Sequence, residues 1–334
     1  MSARAPARPN DASRTLGVAF DGRNPLDVAR EQARAAEDAG AATLWLSSHL
    51  FLRDPFTTAA VALEATRTAS VALMAVSPHV MHPVHIAMAA ATLDELAPGR
   101  VVLCLGTGAP GDLADAGVQP QRPLRLLAEA VETVRLLLSG EPAKYAGELV
   151  QLRGRRMATG RRAIPVYLAA SQPRTLELAG RIADGVVLSA ASSVEFVSWS
   201  LEHVEGGARG RRIARAGLVY ATASDRSSDA LGRFRRQLAI TLRGAHHERN
   251  LALAGAKLDQ PAVRDALARE DWAAAEALVS DDTVRRHTAC GTAEELRARL
   301  DLYRAAGLDE IVLAGLYTPE ETRQTIAAAL GHHT

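Results

Sequence analysis

The feature that most constrains the fold is an alternation of short apolar segments with helical patterns, repeated eight times along the chain. The apolar segments are rich in Val, Leu, Ile and Ala, which is typical of strands buried on both faces of a parallel sheet. The predicted strands are Leu16–Phe20, Thr43–Ser47, Ser70–Val76, Arg100–Leu105, Ile164–Ala169, Gly185–Ser189, Ala216–Ala221 and Ile311–Ala314. Eight strands in a βα alternation favour a closed barrel over an open doubly wound sheet. The sequence therefore predicts an α/β fold, a (βα)8 TIM barrel.

Helical periodicity follows these strands. The predicted helices cover 25–39, 56–66, 82–96, 123–138, 173–182, 194–204 and 320–330. We expect Asn24 to cap the first of them, Gly40 to end it, and Ser171 to cap the helix that starts at Pro173. Apolar residues recur at helical spacing along 123–138, which indicates an amphipathic helix.

Two segments exceed a minimal barrel. Residues 145–152 alternate in polarity and predict a small hairpin beside the fifth strand. Residues 223–290 are mostly helical and polar, and we interpret them as a helical insertion after strand seven, with an independent domain as the alternative. Residues 1–14 carry Arg, Pro, Ala and Ser without an apolar core, so we expect a disordered tail before a single domain over 15–334.

Composition excludes several classes of function. With Lys+Arg 39 against Asp+Glu 38, the chain gives no electrostatic support for nucleic acid or an anionic membrane. Aromatic residues are 4% of the chain, too few to favour a platform for base stacking. No apolar run is long enough for a membrane span, and the isolated Cys104 and Cys290 fit a reducing compartment. We expect a cytoplasmic protein that binds a small-molecule substrate.

Catalytic groups of such barrels gather where the strands run out into the following loops. Small, polar and glycine residues crowd these positions: Asp21-Gly22-Arg23, Ser48-His49, Ser77-Pro78-His79, Gly106-Thr107-Gly108, Ser171-Gln172 and Ser189. His49 is the residue of this set best able to exchange a proton near neutral pH, so it is the candidate catalyst. The alternative is a histidine that only holds a neighbouring loop.

Two of these loops suggest ligand contacts. Gly106 and Gly108 would let the backbone approach a ligand closely, although the loop matches neither GxGxxG nor a P-loop, and a plain tight loop is the alternative. Ser171-Gln172 precedes a helix, whose free N–H groups form a natural phosphate site, with simple capping as the alternative. The histidines at 79, 82 and 85 lack a carboxylate at metal-ligand spacing, so we expect no metal site.

Several stretches resemble the luciferase-like flavin and deazaflavin oxidoreductases. The resemblance covers about residues 16–330 and is strongest to the branch of methylenetetrahydromethanopterin reductase, which uses coenzyme F420. It rests on four stretches: Ala36–Gly40 with Leu44–His49, Ala91–Gly108, Ile164–Pro173 and Ala183–Gly185.

The resemblance implies a cofactor bed on the rim of the barrel. Its ring would lie beside Ser48, Ala75, Val76 and Gly106-Thr107-Gly108, near the catalytic His49, with a non-prolyl cis peptide at Ala75–Val76. The cofactor phosphate would lie at Ala170, Ser171 and Gln172. From their place on the rim, we expect Asp21 and Ser77 to bind substrate. The resemblance also implies a homodimer packed through barrel helices.

This sequence departs from the branch at three places. Ser48 stands where the branch has an acid before the histidine, Ala19 replaces an acidic residue of strand one, and Val76–His79 is one residue short. These changes favour an altered substrate on a retained cofactor site. We therefore expect hydride transfer from reduced coenzyme F420 to a C=N or C=C bond, in bacterial specialised metabolism. The alternatives are an FMN-dependent monooxygenase and a barrel that binds ligands without catalysis.

Overall fold

Eight parallel strands close into a barrel in the computed structural model, which describes residues 15–332. The predicted tail 1–14 lies outside the described residues. The strands are β1 Thr15–Phe20, β2 Thr43–Ser47, β3 Ser70–Val76, β4 Val101–Leu105, β5 Ala143–Ala146, β6 Gln151–Arg155, β7 Val166–Ala169, β8 Gly185–Leu188, β9 Ala214–Ala223, β10 Ala289–Gly291 and β11 Glu310–Ala314. The barrel runs β1-β2-β3-β4-β7-β8-β9-β11, and β11 pairs with β1 to close it. The predicted TIM barrel is confirmed.

Helices separate the consecutive barrel strands. They are α1 Leu26–Asp38, α2 Pro55–Ala65, α3 Pro83–Leu96, α4 Pro110–Asp115, α5 Pro123–Leu138, α6 Pro173–Ile182, α7 Val194–Ala208, α8 Ser227–Arg233, α9 Arg235–Leu242, α10 Glu248–Ala254, α11 Gln260–Ala268, α12 Trp272–Ala277, α13 Asp281–His287, α14 Ala293–Ala305 and α15 Pro319–Leu330. Among residues 15–332, no helix combines the length and the apolar composition that a membrane span requires.

Side chains of each barrel strand alternate between two cores. Leu44 and Leu46 of β2 pack outward against the helices, whereas Trp45 between them points into the barrel. Inside, the Trp45 indole N–H donates to Glu310 Oε1 at 2.9 Å. Gly17 makes room for this pair, since a Cβ there would lie 2.6 Å from that same oxygen. The interior is therefore filled by side chains, and the space for a ligand lies beyond the strand ends.

The segment 223–290 contains helices α8 to α13, in line with the predicted helical insertion, and leads into β10, which pairs in parallel with the end of β9. Leu231, Phe234 and Leu238 of the segment belong to one hydrophobic cluster with Tyr220 and Ala314 of the barrel interior. The insertion therefore packs on the barrel end next to β9 and β11.

Local details differ from the sequence predictions. Asn24 was expected to cap α1, and this is wrong: the cap position is Pro25, and the Asn24 amide donates to Tyr317 O at 2.8 Å and to Gln32 Oε1 at 3.0 Å. A tertiary contact between two rim loops thus takes the side chain that would have capped the helix. Helices α4 and α14 were not predicted, although Thr292 and Glu295 form a capping box at the start of α14.

Candidate active site at the carboxyl end of the barrel

The loops that follow the parallel strands meet at one end of the barrel, because parallel strands share their direction. The structure therefore brings the predicted site residues to the same face: Asp21, Ser48, His49, Ser77, Gly106, Thr107, Gly108, Ala170, Ser171 and Gln172. Their individual contacts differ from the expected ones in several places.

His49 has an acidic partner that the sequence analysis missed. Its Nδ1 lies 3.2 Å from Asp112 Oδ2, and the backbone N–H of Leu50 donates to the same oxygen at 3.2 Å. Ser48 stands where the branch that the sequence resembles has an acid, and in this chain the carboxylate comes instead from the first turn of α4, beyond the glycine loop. If Nδ1 donates its proton to this carboxylate, Nε2 of the neutral ring keeps a lone pair for a ligand. The half-exposed imidazole can therefore exchange a proton with a bound molecule.

The glycine loop after β4 forms a flat floor beside β3 and β7. A Cβ added to Gly106 would lie 2.8 Å from the Ala75 Cβ and 3.5 Å from the Ala169 Cβ. Gly108 has φ +88°, and a Cβ there would lie 3.1 Å from Ser77 Oγ. Glycine is thus required at both positions, by close approach at Gly106 and by backbone conformation at Gly108. At Gly106 the loop backbone therefore lies directly against the Ala75 and Ala169 methyl groups, a packing that suits a planar ring.

The end of β3 corrects two expectations. The non-prolyl cis peptide joins Met74 and Ala75, one bond earlier than predicted, where the β3–β4 pairing shifts register. The Val76 side chain, 2% exposed, packs in the outer core, so only its backbone faces the rim; its carbonyl accepts from Gly106 N–H at 3.1 Å. An alternating strand places Ala75 and Val76 on opposite faces.

Ser77 is held by neighbouring loops. Its hydroxyl donates to Thr107 O at 3.2 Å and accepts from His79 N–H at 3.3 Å. The side chain is 5% exposed. These bonds join the loops after β3 and β4 and occupy the group that we expected to bind substrate.

The start of α6 lacks the predicted cap. Ser171 is not the cap residue, so that prediction is wrong; Gln172 occupies the position and makes no side-chain capping bond. Pro173 begins the helix, which fixes the cap one residue later than expected. Pro173 has no N–H and the Thr175 N–H donates to Gln172 O at 3.0 Å, so the first turn offers the Arg174 N–H and the positive end of the helix dipole to a ligand.

Two phenols lie near the carboxyl ends of the strands, the buried Tyr220 within β9 and the partly buried Tyr317 in the loop after β11. Burial raises the pKa of Tyr220 and of Tyr317, and the charge of Asp21 contributes in the same direction for both. The Tyr220 hydroxyl accepts from Gln237 Nε2 at 3.0 Å. Asp21 itself pairs with Arg23, Nη1 to Oδ2 at 3.3 Å. The sequence missed the tyrosines because a helix of the insertion supplies the partner of Tyr220.

Comparisons with known proteins identify a family and several relatives of this chain. A family model described as luciferase-like monooxygenase matches residues 3–310. The 5,10-methylenetetrahydromethanopterin reductase of Archaeoglobus fulgidus is 26% identical over 304 residues, 87% of this chain and 90% of that protein. The F420-dependent hydroxymycolic acid dehydrogenase of Mycobacterium tuberculosis is 32% identical over 197 residues, 54% of each chain.

Solved structures agree on the fold. The coenzyme F420-dependent tetrahydromethanopterin reductase of Methanopyrus kandleri superposes with a TM-score of 0.87 at 21% identity, covering 94% of this chain and 97% of the other. The monooxygenase RslO1 of Streptomyces bottropensis superposes with a TM-score of 0.71 at 22% identity, covering 95% of this chain and 98% of the other. The family model spans most of the sequence, and the barrel superposes on its relatives over almost their whole length. The chain belongs to the luciferase-like family.

Proposed function

We propose that the protein is an oxidoreductase that uses coenzyme F420 and transfers a hydride to a C=N or C=C bond of a small molecule. The observation that carries this proposal is the flat floor at Gly106, Ala75 and Ala169 on the same rim as the His49–Asp112 pair. The relatives from Archaeoglobus fulgidus and Mycobacterium tuberculosis support a deazaflavin, since the name of the second includes F420 and the first belongs to the branch that the sequence resembles.

The residues present fit such a cofactor. A Cβ at position 106 would meet the Ala75 Cβ at 2.8 Å, so glycine keeps the loop close against β3 beneath the proposed ring. The uncapped first turn of α6, next to Ser171 and Gln172, suits a phosphate. When bound, reduced coenzyme F420 supplies a hydride from C5.

The protein itself would contribute orientation and a proton. Reduction of a C=N or C=C bond adds a hydride to one atom and a proton to the other. Asp112 would fix the His49 ring with its proton on Nδ1 in the neutral form, and His49 would deliver a proton from Nε2 when both nitrogens are protonated. This pair also favours an enzyme over a barrel that only binds ligands.

An FMN-dependent monooxygenase is the second candidate, because the matching family model is described as luciferase-like monooxygenase. Titration of the purified protein with each cofactor, followed by fluorescence, separates the two. We expect saturable binding of coenzyme F420 at micromolar concentrations or lower, and weaker binding of FMN. Tight FMN binding without coenzyme F420 binding would overturn the first proposal.

A second copy of the chain is the partner that we propose for the groove between α2 and α3. The groove is lined by Phe56, Val80 and Met88, and Met88 and Val80 are 49% and 41% exposed. Met88 lies on α3 and Val80 in the loop before it, beside the partly buried Phe56 of α2, and such an exposed apolar cluster is typical of an interface. We expect Met88→Glu to give a monomer in analytical ultracentrifugation, whereas Leu302→Glu, on exposed α14, should leave the assembly unchanged. A monomeric wild-type protein would contradict the homodimer.

A further inference from the structure

The loop after β8, Ser189–Ser193, is held from outside the barrel by buried polar side chains. Ala191 adopts a left-handed conformation, φ +60°, which is uncommon for a residue with a Cβ. Its carbonyl accepts two hydrogen bonds, from Asn250 Nδ2 at 2.7 Å and from His287 Nδ1 at 2.9 Å. Two side chains of the insertion thus meet at one peptide group of this rim loop.

The next two residues of the loop are held in the same way. The Tyr303 hydroxyl donates to Ser192 O at 2.8 Å, and Asn250 Oδ1 accepts from Ser193 N–H at 3.0 Å. Asn250, His287 and Tyr303 are each 0% exposed. Buried polar atoms are costly to leave without a partner, so the bonds to residues 191–193 fix the loop in one conformation, although His287 Nε2 has no partner among the described residues.

His287 is neutral and carries its proton on Nδ1, as the hydrogen bond to the Ala191 carbonyl requires. A carbonyl oxygen only accepts, so Nδ1 of His287 carries a proton. Burial lowers the pKa of His287 to about 4, and the charges of Arg299 and Arg286 lower it further, whereas the Ala191 carbonyl and the charge of Glu195 raise it. The ring is therefore neutral near pH 7, with its single proton directed at the loop.

The held loop adjoins the proposed phosphate end of the cofactor bed. β7 and β8 are paired neighbours, and Ala170 N–H donates to Val187 O at 3.1 Å at the point where both strands end. Within residues 15–332, the N–H groups of Ala190, Ala191 and Ser192 have no hydrogen-bond acceptor. Free backbone N–H groups beside a helix N-terminus are suited to an anion.

We propose that His287, Asn250 and Tyr303 are positioning residues that hold the Ser189–Ser193 loop so that its free N–H groups bind the phosphate of the cofactor. The phosphate would lie between this loop and the first turn of α6. This inference rests on the proposed function. It also assigns a role to the insertion, because its helices α10 and α13 hold a loop of the barrel that binds the cofactor.

The test compares cofactors with and without their phosphate. His287→Leu removes the donor to Ala191, whereas His287→Asn places an amide donor close to the position of Nδ1. For His287→Leu we expect the Kd of coenzyme F420 or FMN to rise about 10-fold or more, and the Kd of riboflavin or of the phosphate-free deazaflavin to change less than about 2-fold. His287→Asn should recover most of the affinity. Equal losses for both ligand types, or no loss, would overturn the proposal.

Two controls separate positioning from loss of stability. Thr133→Val removes a buried hydroxyl bond to Glu129 O within α5, and should lower Tm without changing the phosphate dependence. Tyr303→Phe removes one loop contact with little change of volume, and should raise the Kd of the phosphate-bearing cofactor only.

Hydrogen exchange distinguishes failure of this inference from failure of the proposed function. If the wild-type protein binds neither flavin nor deazaflavin, the proposed function is wrong, but inorganic phosphate still tests the loop. We expect phosphate to slow exchange at residues 190–192 in the wild type and not in His287→Leu. Unchanged exchange in the wild type would overturn the positioning role.

Discussion

The imidazole Nδ1 of His49 lies 3.2 Å from Asp112 Oδ2, although the two residues are 63 positions apart and follow different strands of the barrel. The same oxygen accepts the Leu50 N–H, so one carboxylate fixes both the ring and the backbone next to it. A partner that orients a catalytic histidine acts with it as a unit.

Replacement of Asp112 by Asn tests that unit. We expect kcat to fall about 10- to 100-fold, because a neutral amide stabilises the charged ring less than a carboxylate does. The kcat of His49→Ala should be lower still. The double variant should have the same kcat as His49→Ala alone, since Asp112 acts through His49. Steady-state kinetics with each variant measures this. Additive losses in the double variant would show that the two residues act separately.

The floor of the cofactor bed is tested by Gly106→Val. A Cβ at this position would approach the Ala75 Cβ to 2.8 Å, so the larger side chain would force the glycine loop away from β3 and distort the proposed cofactor bed. We expect loss of cofactor binding by at least about 10-fold in fluorescence titration. Gly111→Val in the same segment is the matched control, since a Cβ at Gly111 meets no atom within 4 Å. Equal effects of the two substitutions would contradict this role.

Glu310 inside the barrel predicts a loss of stability as the pH rises from 4.5 to about 7. Burial raises the pKa of Glu310 from 4.5 to about 7, against the bonds from Trp45 and Thr43. A carboxyl whose pKa is raised by folding contributes stability that is fully present below pH 4.5 and is lost as the pH rises through 7. The loss at pH 8 and above is at most about 3 kcal/mol.

Glu310→Gln checks this effect, because the amide keeps an acceptor for the Trp45 indole N–H. Denaturant unfolding at pH 5 and pH 8 should show a smaller difference for Glu310→Gln than for the wild type. Glu64→Gln, on the exposed face of α2, should behave like the wild type. A pH dependence that Glu310→Gln leaves unchanged would rule out the buried carboxyl as its source.

His247 and His287 predict a loss of stability in acid. Burial lowers the pKa of His247 to about 3 and that of His287 to about 4, from 6.5. Below pH 6.5 the two imidazoles are therefore protonated in the unfolded chain but still neutral in the folded chain. The free energy of unfolding falls as the pH falls from 6.5 towards 4. The slope would reach about 2.7 kcal/mol per pH unit if both rings charge on unfolding.

His247→Phe should weaken this acid effect. We expect the fall in unfolding free energy between pH 7 and pH 5 to be smaller in the variant, because one fewer buried ring must take up a proton. Urea unfolding at the two pH values measures the difference. His49→Phe is the control, because it replaces a histidine on the exposed rim. An equal change in His247→Phe and His49→Phe would contradict the assignment of the acid effect to the buried His247.

Much of the fold could be predicted because its signals are local. The predicted bounds of β2 and β3 agree with the structure, as do those of α5 and α6. Hydrophobic periodicity reports burial within a few residues, and Pro at the first helical position marks the starts of α5 and α6. Helix caps were less predictable, because neither Asn24 nor Ser171 caps its helix. The Asn24 amide bonds to Tyr317 O instead, and Ser171 lies one position before the cap residue Gln172.

By itself the sequence determined the barrel, the position of its rim and the glycine loop of the proposed cofactor bed, since strand period, burial and glycine conformation are properties of neighbouring residues. Only the tertiary structure decided which side chains meet there. Asp112 reaches His49 across 63 residues, and His287 reaches Ala191 across 96. Such contacts depend on how the barrel closes and how the insertion packs, and no local pattern encodes a distance between segments that only the closed barrel brings together.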